Sequence, residues 1–277
     1  MKKKLFTGVC TALVTPFTKH HDVDYLALAR LINSQIEFGV DALLVLGTTG
    51  EAPTLSLDEK KSIINFATEI VKGRVPLIVG IGGNNPDSII HLGQFAKGAG
   101  ADGVMVSAPY YNKATQEGLV EFFKVISAEV KLPMIVYNVP GRCGVNILPE
   151  TASEIARDKY VVGIKEASGN IEQIQDVVRL CASTAVYSGD DTIALPCYAV
   201  GCEGIISVAS NAKPKEVASI FNAFKANKPR LARVEFYTHL PFFQSLFKQV
   251  NPIPIKYELS KFDVCENVVR LPLLPMG

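Results

Sequence analysis

Residues 161–166 read Val-Val-Gly-Ile-Lys-Glu, a short apolar run that ends in Lys165 and Glu166. Seven further apolar or β-branched runs recur along the chain, and they are continuous rather than alternating. Continuously apolar strands are typical of parallel sheets covered on both faces. The eight predicted strands span residues 9–14, 42–46, 77–81, 103–107, 134–138, 161–166, 185–188 and 204–208.

Amphipathic segments with helix-capping signals separate these runs. Ser56 and Glu59 predict a capping box, and Asn85 and Asn170 are placed to cap the helices that follow them. Left-handed residues are expected where the first three helices close, at Gly39, Gly73 and Gly100. Eight strands in strict alternation with helices predict an α/β fold, the (β/α)₈ TIM barrel.

A doubly wound open sheet is the alternative architecture. Such sheets usually carry a GxGxxG turn after the first strand, where this chain has Thr-Pro-Phe at residues 15–17. The glycines of residues 80–85, Gly-Ile-Gly-Gly-Asn-Asn, could cradle a phosphate. Their sequence favours a tight turn with close backbone packing instead.

The strand signal stops at residue 229. Residues 230–249 predict a helix interrupted at Pro241, and residues 255–262 predict a second short helix. We therefore divide the chain into a barrel at residues 1–228 and a C-terminal helical extension at residues 229–277. Since no linker-like composition separates them, we expect the extension to pack on the barrel.

Composition excludes several classes of partner. The 277 residues carry a formal net charge of +1, which gives no electrostatic footprint for nucleic acid. No run approaches the roughly 18 apolar residues that a membrane span needs. Six dispersed cysteines without a CxxC pair predict free thiols in a cytoplasmic protein, and four histidines without ligand spacing predict no metal site.

Chemistry in a TIM barrel lies at the carboxyl ends of the strands and in the loops that follow. Lys165 is unusual there, because a lysine inside an apolar strand must be paired with an acid or act as a nucleophile. Burial lowers a lysine pKa and leaves more free amine to attack a carbonyl. Glu166 is a poor partner, since adjacent strand residues point to opposite faces. Both interpretations stay open on position alone.

Four other residues at these strand ends could join Lys165. Tyr137 lies at the same level as Lys165 one strand earlier and can act as a general acid and base, although a core tyrosine is the commoner case. Thr48 and Thr49, in a glycine-bounded turn, offer donors to a small carboxylate. Arg142 can bind a second carboxylate in bidentate fashion, or it is an ordinary surface arginine.

Six motifs appear in one order along the chain: GTTGE at 47–51, YNVPGR at 137–142, GIKEASGN at 163–170, SGDD at 188–191, GIISV at 204–208 and NPIPIK at 251–256. On these motifs the sequence resembles the dihydrodipicolinate synthase / N-acetylneuraminate lyase superfamily over essentially its full length. The resemblance implies a class I lyase in which Lys165 forms an imine with pyruvate and no cofactor is needed. It also implies a homotetramer built from two dimers.

The resemblance further assigns roles to individual residues. Tyr137, Thr48 and Tyr111 would form a proton relay, with Tyr111 supplied by a neighbouring subunit. Thr48 and Thr49 would hold the pyruvate carboxylate, and Arg142 would bind the carboxylate of the incoming aldehyde. The remaining pocket residues, which contribute their backbones, would be Gly189 and Ile206.

Within the superfamily, GTTGE and Arg142 favour the synthases, which condense pyruvate with aspartate 4-semialdehyde to 4-hydroxy-tetrahydrodipicolinate in lysine biosynthesis. A sister aldolase acting on a sugar-acid aldehyde and a non-catalytic pyruvate-binding regulator are the alternatives. Cys143 stands where the family usually has threonine. In lysine-inhibited relatives a glutamate and two histidines bind lysine, and the matching residues here are Ser88, Leu57 and Lys60.

Overall fold

The structure, a computed structural model, describes residues 2–277. Eight parallel strands pair in chain order and close into a barrel. The strands are β1 Gly8–Ala12, β2 Ala42–Val45, β3 Leu77–Gly80, β4 Gly103–Ser107, β5 Met134–Asn138, β6 Val161–Glu166, β7 Ala185–Ser188 and β8 Gly204–Ser207. The predicted (β/α)₈ barrel is confirmed, and the open sheet is excluded because β1 pairs with both β2 and β8.

Strands β4 to β7 match their predicted bounds, whereas the other four end one or two residues early. Apolar residues continue past the last ladder pair in these four, so composition alone overestimates strand length. At the end of β2, for example, Leu46 has a φ of 57°, which no extended strand allows. The chain therefore leaves the barrel at Leu46 although that side chain is buried.

The helices form the outer layer of the barrel. They are α1 Tyr25–Glu37, α2 Leu57–Val71, α3 Pro86–Gly98, α4 Gln116–Val130, α5 Pro140–Cys143, α6 Pro149–Ile155, α7 Ile171–Leu180, α8 Ala194–Ala199 and α9 Pro214–Lys225. The capping box of Ser56 and Glu59 is present, and Asn85 and Asn170 cap α3 and α7 as predicted. The three glycines expected to close α1, α2 and α3 all have positive φ.

The glycine-rich turn after β3 packs closely, as its sequence favoured. A Cβ on Gly80 would lie 2.2 Å from the Leu46 carbonyl oxygen, and a Cβ on Gly82 would lie 2.6 Å from the Ser107 hydroxyl. Real Cβ atoms do not approach neighbours this closely. These glycines allow β2, β3 and β4 to end side by side at the carboxyl mouth of the barrel.

Two further helices, α10 Pro229–Ser245 and α11 Ile253–Ser260, follow the barrel. The predicted interruption at Pro241 is wrong, because α10 continues through it. Proline removes one helical hydrogen bond, but α10 also buries Ala232, Phe236 and Phe243, and burial of large side chains outweighs that loss. No helix within residues 2–277 is long and apolar enough to cross a membrane.

Candidate active site

Lys165 and Tyr137 lie side by side at the carboxyl end of the barrel. They are paired residues on adjacent strands β6 and β5, as their predicted common level requires. The Lys165 Nζ lies 4.3 Å from the centroid of the Tyr137 ring. Both side chains are almost completely buried, with 5% and 6% exposed.

The electrostatic environment of Lys165 favours the free amine. Burial lowers its pKa from the ordinary value of 10.5 to about 8, and the Arg142 cation acts in the same direction. The negative charges of Cys10 and Asp191, when present, oppose this effect. Glu166 is not a partner, because its carboxylate lies on the other face of β6 and accepts hydrogen bonds from the Asn138 side chain.

Tyr137 keeps its proton at neutral pH. Burial raises its pKa to about 12, although Arg142 and the Thr48 side chain both lower it. Thr48 begins a short 3₁₀ turn, Thr48–Gly50, which follows β2 after Leu46 and Gly47. The site therefore combines a protonated phenol with an amine that is partly unprotonated at the same pH.

A cavity of about 270 Å³ opens above Tyr137. Its polar lining comes from Thr48, Ser107, Tyr110, Tyr137 and Arg142. Lys165 does not belong to the lining, but its amine lies against the ring of Tyr137, which does.

Asn251, to which the sequence assigned no role, joins two of the predicted binding residues. The side-chain amide of Asn251 donates a hydrogen bond of 3.0 Å to the Thr49 hydroxyl, and the backbone carbonyl of Asn251 accepts one of 3.1 Å from Arg142. Thr49 is buried whereas Arg142 is exposed at the mouth. The NPIPIK motif was the available signal, but only tertiary contact shows which residues it reaches.

Gly189 lies against the lysine directly after β7, and Ile206 lies within β8. A Cβ on Gly189 would lie 3.0 Å from the Lys165 Cε and 2.7 Å from the Ala167 Cβ, so a side chain there would displace the lysine. Ile206 is fully buried and pairs with Cys10 of β1. The structure therefore brings Gly189 against the lysine, whereas the role of Ile206 in the pocket stays a prediction.

Two buried carboxylates shape the strand ends around Lys165. Glu166 accepts hydrogen bonds from Asn138, from Gln173 and from the Ser168 amide. Asp191 accepts one from the Ser207 hydroxyl at 2.5 Å and two from the backbone after β8. These bonds fix the loops on either side of the lysine. Sequence reasoning missed this function of both acids.

Tyr111 and Cys143 differ from the rest of the set. Tyr111 is 88% exposed and does not line the cavity, so this chain does not bring it to Tyr137. Cys143 is buried, and its thiol donates to the Ala108 carbonyl at 3.1 Å. Burial raises the pKa of the Cys143 thiol to about 11, so it is a small neutral filler rather than a reactive thiolate. No group of His, Cys, Asp or Glu among residues 2–277 is arranged to hold a metal ion.

Comparison with known proteins places this fold and site in a family. The model of the dihydrodipicolinate synthetase family matches residues 5–277, and the chain belongs to that family. It is 47% identical to the 4-hydroxy-tetrahydrodipicolinate synthase of Thermotoga neapolitana, over 98% of this chain and 94% of the relative.

Solved structures agree with this assignment. The dihydrodipicolinate synthase of Thermotoga maritima has a TM-score of 0.96 and 44% identity, over 99% of this chain and 94% of the other. A protein described as the first monomeric dihydrodipicolinate synthase variant has a TM-score of 0.97 and 43% identity, over 99% and 92% of the two chains.

Proposed function

We propose that the protein condenses pyruvate with L-aspartate 4-semialdehyde to give 4-hydroxy-tetrahydrodipicolinate, the first committed step of lysine biosynthesis. The observation that carries the proposal is the buried Lys165 amine beside the Tyr137 phenol in a chain whose relatives are named for this reaction. The sister aldolase and the non-catalytic regulator are not favoured by these relatives.

The first half of the proposed reaction attaches pyruvate to the enzyme. The free amine of Lys165 attacks C2 of pyruvate, while Thr48 and Thr49 bind its carboxylate. Tyr137 is protonated and can donate to the carbonyl oxygen, which then leaves as water when the imine forms. The imine withdraws electrons from C3, so loss of a C3 proton gives an enamine. Lys165 thus supplies the electron sink, and the chemistry needs no cofactor.

The second half joins the aldehyde. The enamine carbon attacks the aldehyde carbon of the semialdehyde, whose oxygen takes up a proton and becomes the 4-hydroxyl group. The amino group that came from the semialdehyde then attacks the imine carbon and displaces the Lys165 amine. This step closes the ring and frees the enzyme. Arg142 at the cavity mouth is suited to hold the carboxylate of this second substrate.

We also propose a cytoplasmic homotetramer, a dimer of dimers, in which Tyr111 enters the site of the neighbouring subunit. The proposal for Tyr111 is supported by its position, because its side chain is 88% exposed and does not line the cavity of its own chain. Tyr110, next to it, already lines the cavity of its own subunit. The six free thiols fit a reducing compartment.

A substrate comparison tests the function. Purified protein is incubated with pyruvate and either aspartate 4-semialdehyde or a sugar aldehyde such as N-acetylmannosamine, and products are identified by mass spectrometry. We expect condensation with the semialdehyde alone. Preference for the sugar aldehyde would identify the sister aldolase, and pyruvate binding without any product would identify the regulator.

A further inference from the structure

The charged residues that end the first and the last of the six motifs have no part in the proposed reaction. Glu51 ends the GTTGE motif and Lys256 ends the NPIPIK motif. The Lys256 Nζ lies 2.5 Å from the Glu51 Oε1, and the two side chains are 0% and 2% exposed. Transferring two charges from water to a protein interior costs several kcal/mol per ion, so a pair this deeply buried calls for an explanation other than stability.

The surroundings of the pair fix its geometry. Lys256 also donates to the Val268 carbonyl at 2.8 Å, and its Nζ lies 3.9 Å from the centroid of the Phe17 ring. The backbone N–H of Arg270 donates to the second oxygen of Glu51 at 3.0 Å. Glu51 is therefore held by α11 and by the C-terminal segment that follows it.

Glu51 controls the backbone that carries the two threonines. It has a left-handed conformation with a φ of 53°, which is uncommon for a residue with a side chain and costs free energy that its contacts must offset. Its N–H donates to the Thr48 carbonyl at 3.1 Å, which closes the 3₁₀ turn. Asn251 holds Thr49, and the Thr15 hydroxyl holds the Gly50 carbonyl at 2.7 Å.

We infer that the Glu51–Lys256 pair is a positioning device that sets the threonine turn, residues 48–50, for capture of the pyruvate carboxylate. Lys256 and Asn251 lie in the same short stretch before and within α11. The helical extension therefore holds Thr49 through Asn251 and the carbonyl of Thr48 through Glu51, although it contributes no atom to the reaction. This inference rests on the proposed function only for the identity of the ligand.

Two substitutions and a matched control test the inference. Lys256→Met removes the cation and leaves Glu51 buried without a countercharge, so it is expected to lower the midpoint of thermal unfolding. The double variant Glu51→Gln/Lys256→Met neutralises both partners at similar volume, which commonly preserves stability. Lys4→Met removes the partly exposed ion pair with Glu203, near the opposite end of the strands, and serves as the control.

Hydrogen exchange of the peptide covering residues 47–55 measures whether the turn is held. We expect faster exchange there in both Lys256 variants and no change in Lys4→Met. Since a misplacement of about 1 Å can cost 10²-fold, kcat/KM for pyruvate in the double variant should fall about 10- to 100-fold. The KM of the aldehyde should change less, because Arg142 lies outside the turn.

The outcomes separate the two proposals. Parent-like exchange at residues 47–55 in the double variant would overturn the positioning role, and so would parent-like kcat/KM for pyruvate. If the parent protein traps pyruvate under borohydride but makes no product with the semialdehyde, the proposed function fails. The exchange data and the trapping rate would still show whether the ion pair positions residues 48–50.

Discussion

The lowered pKa of Lys165 predicts the pH dependence of pyruvate capture. With a pKa of about 8, Lys165 is the free amine in about one protein molecule in ten at pH 7. At the ordinary value of 10.5 the fraction would be about 3 in 10,000, so burial increases the reactive form roughly 300-fold. Because only the free amine attacks, capture should rise about tenfold per pH unit below pH 7 and level off above pH 8.

The assay is a rapid mix of enzyme and limiting pyruvate at pH 6 to 10, followed by a borohydride quench and intact-mass analysis. The rate at which the reduced pyruvate adduct accumulates gives the profile, and peptide mapping should find the adduct on Lys165. Lys165→Arg is the control, since its guanidinium cannot form the imine at these pH values. A rate that still climbs steeply between pH 9 and 10, or an adduct on a different lysine, would refute the argument from burial.

Four further predictions concern the other residues. Tyr137→Phe should lower kcat by about 10²–10⁴ with an unchanged unfolding midpoint, and activity within a few-fold of the parent would reduce Tyr137 to a packing residue. Arg142→Ala should raise the KM of the aldehyde roughly 30- to 150-fold, which corresponds to a loss of about 2–3 kcal/mol of binding free energy, and it should raise the KM of pyruvate far less. Equal effects on both KM values in steady-state kinetics would contradict the assignment. Tyr111→Phe should lower kcat without altering the mass measured by sedimentation, whereas a fully active monomer would exclude a shared site. L-lysine should inhibit weakly, because the cavity has Ser88 where inhibited relatives have a glutamate and carries the added cation of Lys60, although Asp87 also lines it. Half-inhibition by submillimolar lysine in an inhibition curve would show a site rebuilt from other residues.

Local pattern was sufficient to predict the barrel. The apolar runs identified all eight strands, and the capping residues marked the helices between them, because both signals come from neighbouring residues. Strand alternation also predicted that Lys165 and Glu166 face opposite ways, which the hydrogen bonds of Glu166 bear out. The sequence also predicted that Lys165 and Tyr137 lie at the same level of the barrel, because strands in register bring equivalent positions together.

Contacts between distant segments were decided only by the tertiary structure. Asn251 meets Thr49 across 202 positions of sequence, and Glu51 meets Lys256 across a similar separation. No periodicity encodes such pairs, because they depend on how the barrel closes and where the extension docks. The passage of α10 through Pro241 has the same origin: helix propensity is a local term, and the burial of Phe236 and Phe243 that overrides it exists only once the extension is packed on the barrel.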